Sequence, residues 1–223
     1  RLVGAALARL QGARDRSRDG DAAVVAHGLG TDHAGGFDLS SGCSGFVASV
    51  ATATSDVSTD IVMAPDGKTA YAVSNGVLGG VVRVIDTGTN TVVKSIDLPA
   101  GLSGYALAIS PDGSRLYAPN TAGDGIAVID TATNTVVETI ATPGVSRMGR
   151  SAVSPDGSTL YVVSPGTNTV AAIDLATKTV TATITLFDPE GVAFRPDGTS
   201  VYVTSGTSLK VITTGLPPYS EAV

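Results

Sequence analysis

The sequence is poor in the side chains that carry most acid–base, redox and metal chemistry. Of its 223 residues, two are histidine and one is cysteine, and tryptophan is absent. Both histidines, His27 and His33, and the cysteine, Cys43, precede the part of the chain that repeats. Histidine catalysis and histidine metal ligation from the repeats are therefore excluded. A single cysteine also permits no intrachain disulfide.

Charged residues are scarce too, and more of them are acidic than basic. They make up 15% of the chain, the formal net charge is -6 and the isoelectric point is about 4.7. This balance argues against nucleic acid as a partner. Mean hydropathy is positive at +0.27, yet the apolar runs fall well short of the ~20 residues that a membrane-spanning helix needs. The composition fits a β-rich fold whose sheets are buried on both faces.

What the sequence has in abundance is one repeated turn. A Pro-Asp-Gly triplet followed by a tyrosine occurs four times. The copies are Pro65-Asp66-Gly67 with Tyr71, Pro111-Asp112-Gly113 with Tyr117, Pro155-Asp156-Gly157 with Tyr161, and Pro196-Asp197-Gly198 with Tyr202. Successive copies are 46, 44 and 41 residues apart. A period of roughly 40–50 residues that contains several short strands is typical of a propeller blade.

Each copy predicts four antiparallel strands, as the second copy shows. Residues 104–110 are an apolar run, and strands rich in Val, Ile and Thr follow at 115–120, 125–130 and 135–141. In the Pro-Asp-Gly turn, proline presets φ, aspartate bonds its own backbone and glycine takes a positive φ. The predicted structural turn residues are Asp66, Gly67, Asp112, Gly113, Asp156, Gly157, Asp197 and Gly198.

A second turn, between the third and fourth strands of each copy, also has a recognisable sequence. Asn90 and Asn134 occupy a position there that suits a left-handed backbone, and Lys178 stands at that position in the third copy. The two asparagines predict a left-handed residue at this point, and Lys178 is a departure from the pattern.

The first strand of each copy has one bulky and one small face. The bulky residues are Met63, Ile109, Val153 and Phe194, and the smaller ones beside them are Val62, Ala108, Ala152 and Ala193. Because strand side chains alternate between faces, neighbouring sheets can nest large against small around a tapering axis. An ordinary sandwich of short strands is the alternative, and four in-register copies favour the propeller. We predict an all-β propeller of four-stranded antiparallel blades, about four of them present.

These motifs resemble the YVTN-type β-propeller repeat of bacterial and archaeal proteins. The matching stretches start at Tyr117, Tyr161 and Tyr202, and continue at residues 128–136 and 84–92. The resemblance covers about residues 46–213, with a proline inside one strand and a degraded fourth copy as departures. It implies a protein that is extracellular, at the cell surface or periplasmic. Propellers that look related include lactonases and quinoprotein-like redox proteins.

The two ends of the chain differ from the repeats. Residues 1–45 are predicted to be an irregular extension, with a possible short helix at residues 2–10 before the charge-rich stretch 14–20. The tail of a cleaved export signal, an interaction arm and a frayed extension are all open interpretations. The histidines and nearby aspartates match no ligand spacing, so we predict a loop and no metal site. Residues 215–223 are predicted to be a C-terminal tail.

The first and last strands of the repeat region are complementary. Residues 46–52 align with residues 92–98 and predict an outer strand without its own blade, whereas the fourth copy has no fourth strand after Thr213. The two parts could close one ring, or the chain could be a slice of a larger one. Since four blades are few, we expect an open arc or a strained ring. The uncovered faces would carry Met63, Ile61, Phe194 and Val192 and favour self-association.

Ligands of a propeller are expected where the loops before each first strand meet the loops between second and third strands. The candidate binding residues there are Arg147, Arg150, Asp188, Glu190, Tyr105, Asn120 and Asp124. The two arginines facing two carboxylates could bind a protein, a small polar ligand or a cation, and solvated loop charge is the alternative. No nucleophile elbow, haem-attachment motif or P-loop is present, so no catalytic residue and no cofactor is predicted.

We interpret the chain as a non-catalytic binding or interaction scaffold. A lactonase-like propeller enzyme and a structural component of a surface layer are the alternatives.

Overall fold

The computed structural model describes Val50, residues 57–76 and residues 79–214. The N-terminal extension 1–45, the rest of the expected outer strand 46–52 and the tail 215–223 lie outside the described residues. Within the described part, every regular element is a β-strand. No helix there is long and apolar enough to cross a bilayer.

In the described residues, fifteen strands form four antiparallel sheets in chain order. The first sheet is β1 (Val57–Met63), β2 (Thr69–Gly76), β3 (Gly79–Asp86) and β4 (Thr91–Asp97), and the second is β5 (Ala108–Ile109), β6 (Arg115–Pro119), β7 (Ile126–Asp130) and β8 (Thr135–Ile140). The third is β9 (Ser151–Val153), β10 (Thr159–Ser164), β11 (Thr169–Asp174) and β12 (Thr179–Thr185), and the fourth is β13 (Pro189–Phe194), β14 (Ser200–Ser205) and β15 (Ser208–Thr213). This order confirms the predicted all-β propeller of four consecutive blades. In the described residues the fourth blade has three strands.

The repeated turns connect the strands as the sequence predicts. In each Pro-Asp-Gly turn the glycine has a φ of 71° to 75°, a conformation that costs glycine little because it has no Cβ. The second predicted turn position is also left-handed, with φ of 54° at Asn90, 53° at Asn134 and 58° at Lys178.

One strand is shorter than predicted. The run 104–110 was expected to be a strand, but β5 contains only Ala108 and Ile109, and Gly104 makes an isolated bridge to Asn120. In this register the next hydrogen-bonded pair of the ladder would join Ala106 to Pro119, which has no amide hydrogen to donate, so the ladder stops. The amide of Leu107 faces away from β6 and donates to Oδ2 of Asp60 in the first sheet, at 3.0 Å.

Apolar cores join consecutive sheets. The core between the first and second sheets includes Tyr71 and Val84 of one and Leu116 and Ile129 of the other. Similar cores join the second sheet to the third and the third to the fourth. The bulky residues Ile109, Val153 and Phe194 pack into the core shared with the preceding sheet. We call the side of a sheet that meets the preceding blade its incoming face and the other its outgoing face.

The prediction of which residues lie uncovered at the end of the fourth sheet was wrong. Val192 is buried, and Phe194 packs edge-on against Tyr161 of the third sheet with ring centroids 5.3 Å apart. Both lie on the incoming face, as Met63 and Ile61 do in the first sheet, so they pack against the third sheet and the opposite face of the fourth sheet is the exposed one. At the other end, Met63 is exposed as predicted, whereas Ile61 is partly buried in a small core with Val50.

We predict that the junctions between blades determine stability. Val162 of β10 is fully buried between the second and third sheets, so Val162→Ala should lower the free energy of unfolding by about 1.5–3 kcal/mol. Val137 of β8 is half exposed, so Val137→Ala should change it by less than about 0.5 kcal/mol. Urea unfolding followed by circular dichroism measures both. Equal effects of the two substitutions would contradict the assigned core.

Candidate functional site

Two sets of loops meet at one end of the strands and form what we call the loop face. It consists of residues 98–107, 120–125, 141–150, 165–168, 186–188 and 206–207. The loops are tied together through their backbones. The amide of Thr121 donates to the carbonyl of Ser103 at 2.8 Å, and the amide of Gly206 donates to the carbonyl of Asp188 at 3.1 Å. The predicted meeting of these loops therefore occurs as hydrogen-bonded contact.

Asn120, a predicted binding residue, is held inside this framework. Its side chain is buried, and its Oδ1 accepts from the amides of Ser103 and Ala122, each at 3.0 Å. Its Nδ2 donates to the carbonyls of Gly101 at 3.2 Å and Asp124 at 3.1 Å. All of its amide donors and its acceptor are engaged within the protein. Asn120 shapes the two loops and has no capacity left for a ligand.

Arg147 is presented on a fixed backbone. It has a φ of 53°, and its amide donates to the carbonyl of Gly123 at 3.0 Å. A Cβ at Gly166 would lie 2.5 Å from the Cβ of Arg147, so only glycine allows the neighbouring hairpin this close. Arg150 is partly exposed, and its carbonyl accepts from the amide of Val163 at 2.9 Å.

The two carboxylates lie at the start of the fourth sheet. Asp188 has a φ of 48°, and its amide donates to Oδ1 of Asn168 at 3.0 Å. Glu190 occupies a β-bulge, because the pairing register shifts between Pro189 and Gly191. Bulges commonly redirect a side chain. Both carboxylates are exposed.

The arginines and carboxylates share the loop face but do not pair with each other. In the part of the chain that the structure describes, no ion pair within 4.0 Å joins Arg147 or Arg150 to Asp188 or Glu190. Tyr105 and Asp124, the remaining predicted residues, are exposed on the loops before β5 and before β7. The loop face thus presents both signs of charge to solvent.

The sequence reasoning missed Phe187. Its side chain is 77% exposed, the highest fraction of any large apolar residue described. It lies beside Asp188 and lines a shallow groove of about 420 Å³ together with Thr185, Leu186, Ser205, Gly206, Thr207, Ser208 and Lys210. The signal in the sequence was an aromatic residue in a short loop directly before Asp188 and Glu190. Exposed aromatic residues of this kind are enriched at binding surfaces.

We call the opposite end of the strands the turn face, and its carboxylates accept hydrogen bonds from within their own turns. It consists of the Pro-Asp-Gly turns and the turns at residues 87–90, 131–134 and 175–178. Oδ1 of Asp112 accepts from the hydroxyl of Ser110 at 2.5 Å and from the amide of Ser114 at 3.0 Å. These bonds, the Ser110 hydroxyl first, lower the pKa of Asp112 to about 2. The pKa of Asp156 is lowered by the same arrangement, led by the Ser154 hydroxyl.

No cluster of three or more metal-ligating side chains occurs among the described residues. The histidines, the cysteine and the aspartates near them lie outside that part of the chain.

Comparison with known proteins agrees with the propeller fold. No known family's sequence profile matches the chain, and no curated protein matches it. It is similar in structure to the Kuenenia stuttgartiensis hydrazine synthase, with 25% identity and a TM-score of 0.62 over 70% of this chain and 46% of that one. It is also similar to a functionally unknown protein from Desulfotomaculum acetoxidans DSM 771, with 18% identity and a TM-score of 0.61 over 70% of this chain and 51% of that one. The chain therefore spans about half the length of these two structures.

The turn carboxylates predict how stability depends on pH. Because the pKa of Asp112 is about 2 in the folded chain and about 3.9 when unfolded, its stabilising contribution is complete above about pH 4. It is lost as the pH falls towards 2. Ser110→Ala removes the first cause of the shift, so the pKa of Asp112 should rise towards its ordinary value. Carboxyl-carbon NMR titration measures it, with Asp112→Asn to assign the signal.

An unchanged pKa in Ser110→Ala would contradict the assigned hydrogen bond. Asp112→Ala should also lower the melting temperature by a few degrees through loss of the same bonds.

Proposed function

We propose that this chain is a non-catalytic β-propeller that binds a protein or a small polar ligand on its loop face. The observation that carries the proposal is that hydrogen bonds within the protein hold the backbone of this face while its charged side chains stay exposed. The backbones of Arg147 and Asp188 are fixed by hydrogen bonds, while their side chains extend into solvent without an ion pair between them. A backbone that is already fixed need not be ordered when a partner binds, which lowers the entropic cost of binding.

The arrangement of groups favours a partner with both charged and apolar parts. Phe187 provides an exposed aromatic surface directly beside Asp188. Arg147 and Arg150 supply donors that can pair with a carboxylate in two-point geometry. A peptide segment or protein loop with an acidic group, a basic group and an apolar side chain matches these features. This combination resembles the aromatic and arginine anchors that dominate protein interfaces.

We also propose that the protein is exported, to the cell surface, the periplasm or the medium. The support is the resemblance of the repeats to the YVTN-type propellers, which are often secreted or surface-attached. Fractionation of cells that express the chain from its natural gene tests the location. Recovery in the cytoplasmic fraction alone would contradict export.

Binding can be tested with peptides selected from a displayed random library against the intact chain. We expect Arg147→Ala/Phe187→Ala to weaken a selected peptide at least about tenfold in fluorescence anisotropy, because interface anchors of these types commonly cost this much when truncated. The control, Lys68→Ala/Arg195→Ala, removes two basic residues from the turn face. It should leave affinity within about twofold.

Two results would contradict the proposed loop-face site. One is a selected peptide that the loop-face variant binds as well as the unaltered chain. The other is a larger loss of affinity in the turn-face control. Circular dichroism of each variant verifies that the fold is retained.

A further inference from the structure

The last blade has an outgoing face that no described residue covers. In the other sheets, the repeated tyrosine packs against the next blade, and its exposed fraction is 3% for Tyr71 and 6% for Tyr117. Tyr161 likewise packs against Phe194. Tyr202 occupies the same position in the fourth sheet and is 37% exposed. The difference lies in what covers the tyrosine, because its place in the strand is the same.

The neighbouring strand shows the same contrast in register. The residues paired with the repeated tyrosines are Val84, Val128, Ala172 and, in the fourth sheet, Val211. Val84 and Val128 are each 2% exposed, whereas Val211 is 57% exposed. Leu209, two residues before Val211 on the same face, is 60% exposed. The outgoing face of the fourth sheet therefore has the side chains of a blade junction, and none of the described residues forms an opposing blade there.

The first sheet shows the complementary feature on its incoming face. Met63 is 43% exposed, although its counterparts Ile109, Val153 and Phe194 pack against a preceding sheet. Val50 packs there against Ala70, Ala72 and Ile85. It aligns with Ile96, which belongs to the outer strand of a blade. Val50 thus occupies, on the incoming face of the first sheet, the place that Ile96 takes at the junction with the second sheet. Met63, on the same face, remains exposed.

The turns at the two ends are complementary as well. Within the chain, the proline of each Pro-Asp-Gly turn lies against the glycine of the next. A Cβ at Gly113 would lie 2.9 Å from Cδ of Pro65, and Cβ atoms at Gly157 and Gly198 would lie 3.8 and 3.7 Å from Cδ of Pro111 and Pro155. Among the described residues, Gly67 has no atom within 4 Å of such a Cβ, and no glycine lies against Pro196 in this way. Pro196 of one chain and Gly67 of another would continue the series.

We propose that two copies of this chain join head to tail, the fourth sheet of each against the first sheet of the other, and form a ring of eight blades. The three junctions inside the chain define the partner surface, since each outgoing face there is covered by an incoming face of the same repeat. Eight blades lie within the ~4–8 found in propellers. A heterologous contact of this kind gives a closed ring when the rotation between copies closes.

The areas favour a ring over a pair joined at one junction. Three strands of six residues cover roughly 20 by 14 Å, or about 300 Å² on each face. One junction between two such faces buries about 600 Å², which is below the size of a stable interface and allows only weak association. Two junctions bury about 1,200 Å² in total, which reaches the lower limit for a stable complex.

Light scattering coupled to size-exclusion chromatography tests the assembly on the full chain. We expect a measured mass of twice the chain mass of 22.2 kDa. This mass should stay constant over a hundredfold range of protein concentrations that all lie above the dissociation constant. Val211→Lys should give monomers, because it places a charge on the outgoing face of the fourth sheet. The matched control, Val137→Lys, alters a valine of β8 that is 51% exposed and outside both open faces. It should leave the mass unchanged.

A second variant distinguishes head-to-tail joining from pairing of two fourth sheets. Met63→Lys should also give monomers, because it places a charge on the incoming face of the first sheet. An equimolar mixture of Met63→Lys and Val211→Lys retains one intact junction. It should therefore form a weaker heterodimer that neither variant forms alone. Far-UV circular dichroism and melting curves verify that each variant is folded.

Four results would overturn the proposal. They are a monomeric unaltered chain, a dimer that persists in Val211→Lys, a dimer that persists in Met63→Lys, and masses that rise beyond two copies with concentration. The last would mean that the junction forms without closing a ring.

Discussion

The structure depends on covering the apolar faces of its sheets. Along β6, Leu116 points to the junction with the first sheet, and the next residue, Tyr117, points to the junction with the third. Each sheet is therefore an apolar layer shared by two junctions. A sheet with one uncovered face loses half of its burial, so stability is distributed over nearest-neighbour contacts, as in other repeat proteins. This constraint explains why the ends of the array differ from its middle.

The architecture could be predicted from the sequence because its determinants are local. The Pro-Asp-Gly turns, the left-handed positions at Asn90 and Asn134 and the alternation of large and small residues each act within a few positions along the chain. Two predictions failed although the deciding residues are visible in the sequence. Pro119 has no amide hydrogen for pairing with the start of the predicted strand 104–110, so β5 is short. Val192 and Phe194 occupy the strand positions that Ile61 and Met63 occupy in the first sheet, so they face the preceding blade and are covered.

The candidate site was predictable in position and less so in composition. The loop face follows from the order of strands, and the charged residues on it are visible in the sequence. Which of them are free depends on tertiary hydrogen bonds. Asn120 looks like an exposed loop amide in the sequence, yet its Oδ1 and Nδ2 connect two loops. Phe187 carries no charge and was not predicted as a site residue, yet its side chain is 77% exposed.

The two ends of the strands use polar groups in opposite ways. On the turn face, carboxylates such as that of Asp112 accept local hydrogen bonds. These bonds lower the pKa of Asp112 to about 2 and leave its carboxylate little capacity for a ligand. On the loop face, backbone groups make the hydrogen bonds, and the side chains of Arg147, Asp188 and Glu190 extend outward. The proposed binding residues therefore all lie at one end of the propeller.

In a ring made by continuing the blades, all loops lie at the same end, so two copies would present two loop faces side by side. A partner with two binding segments could then engage both at once, and the gain in avidity would require no new contact.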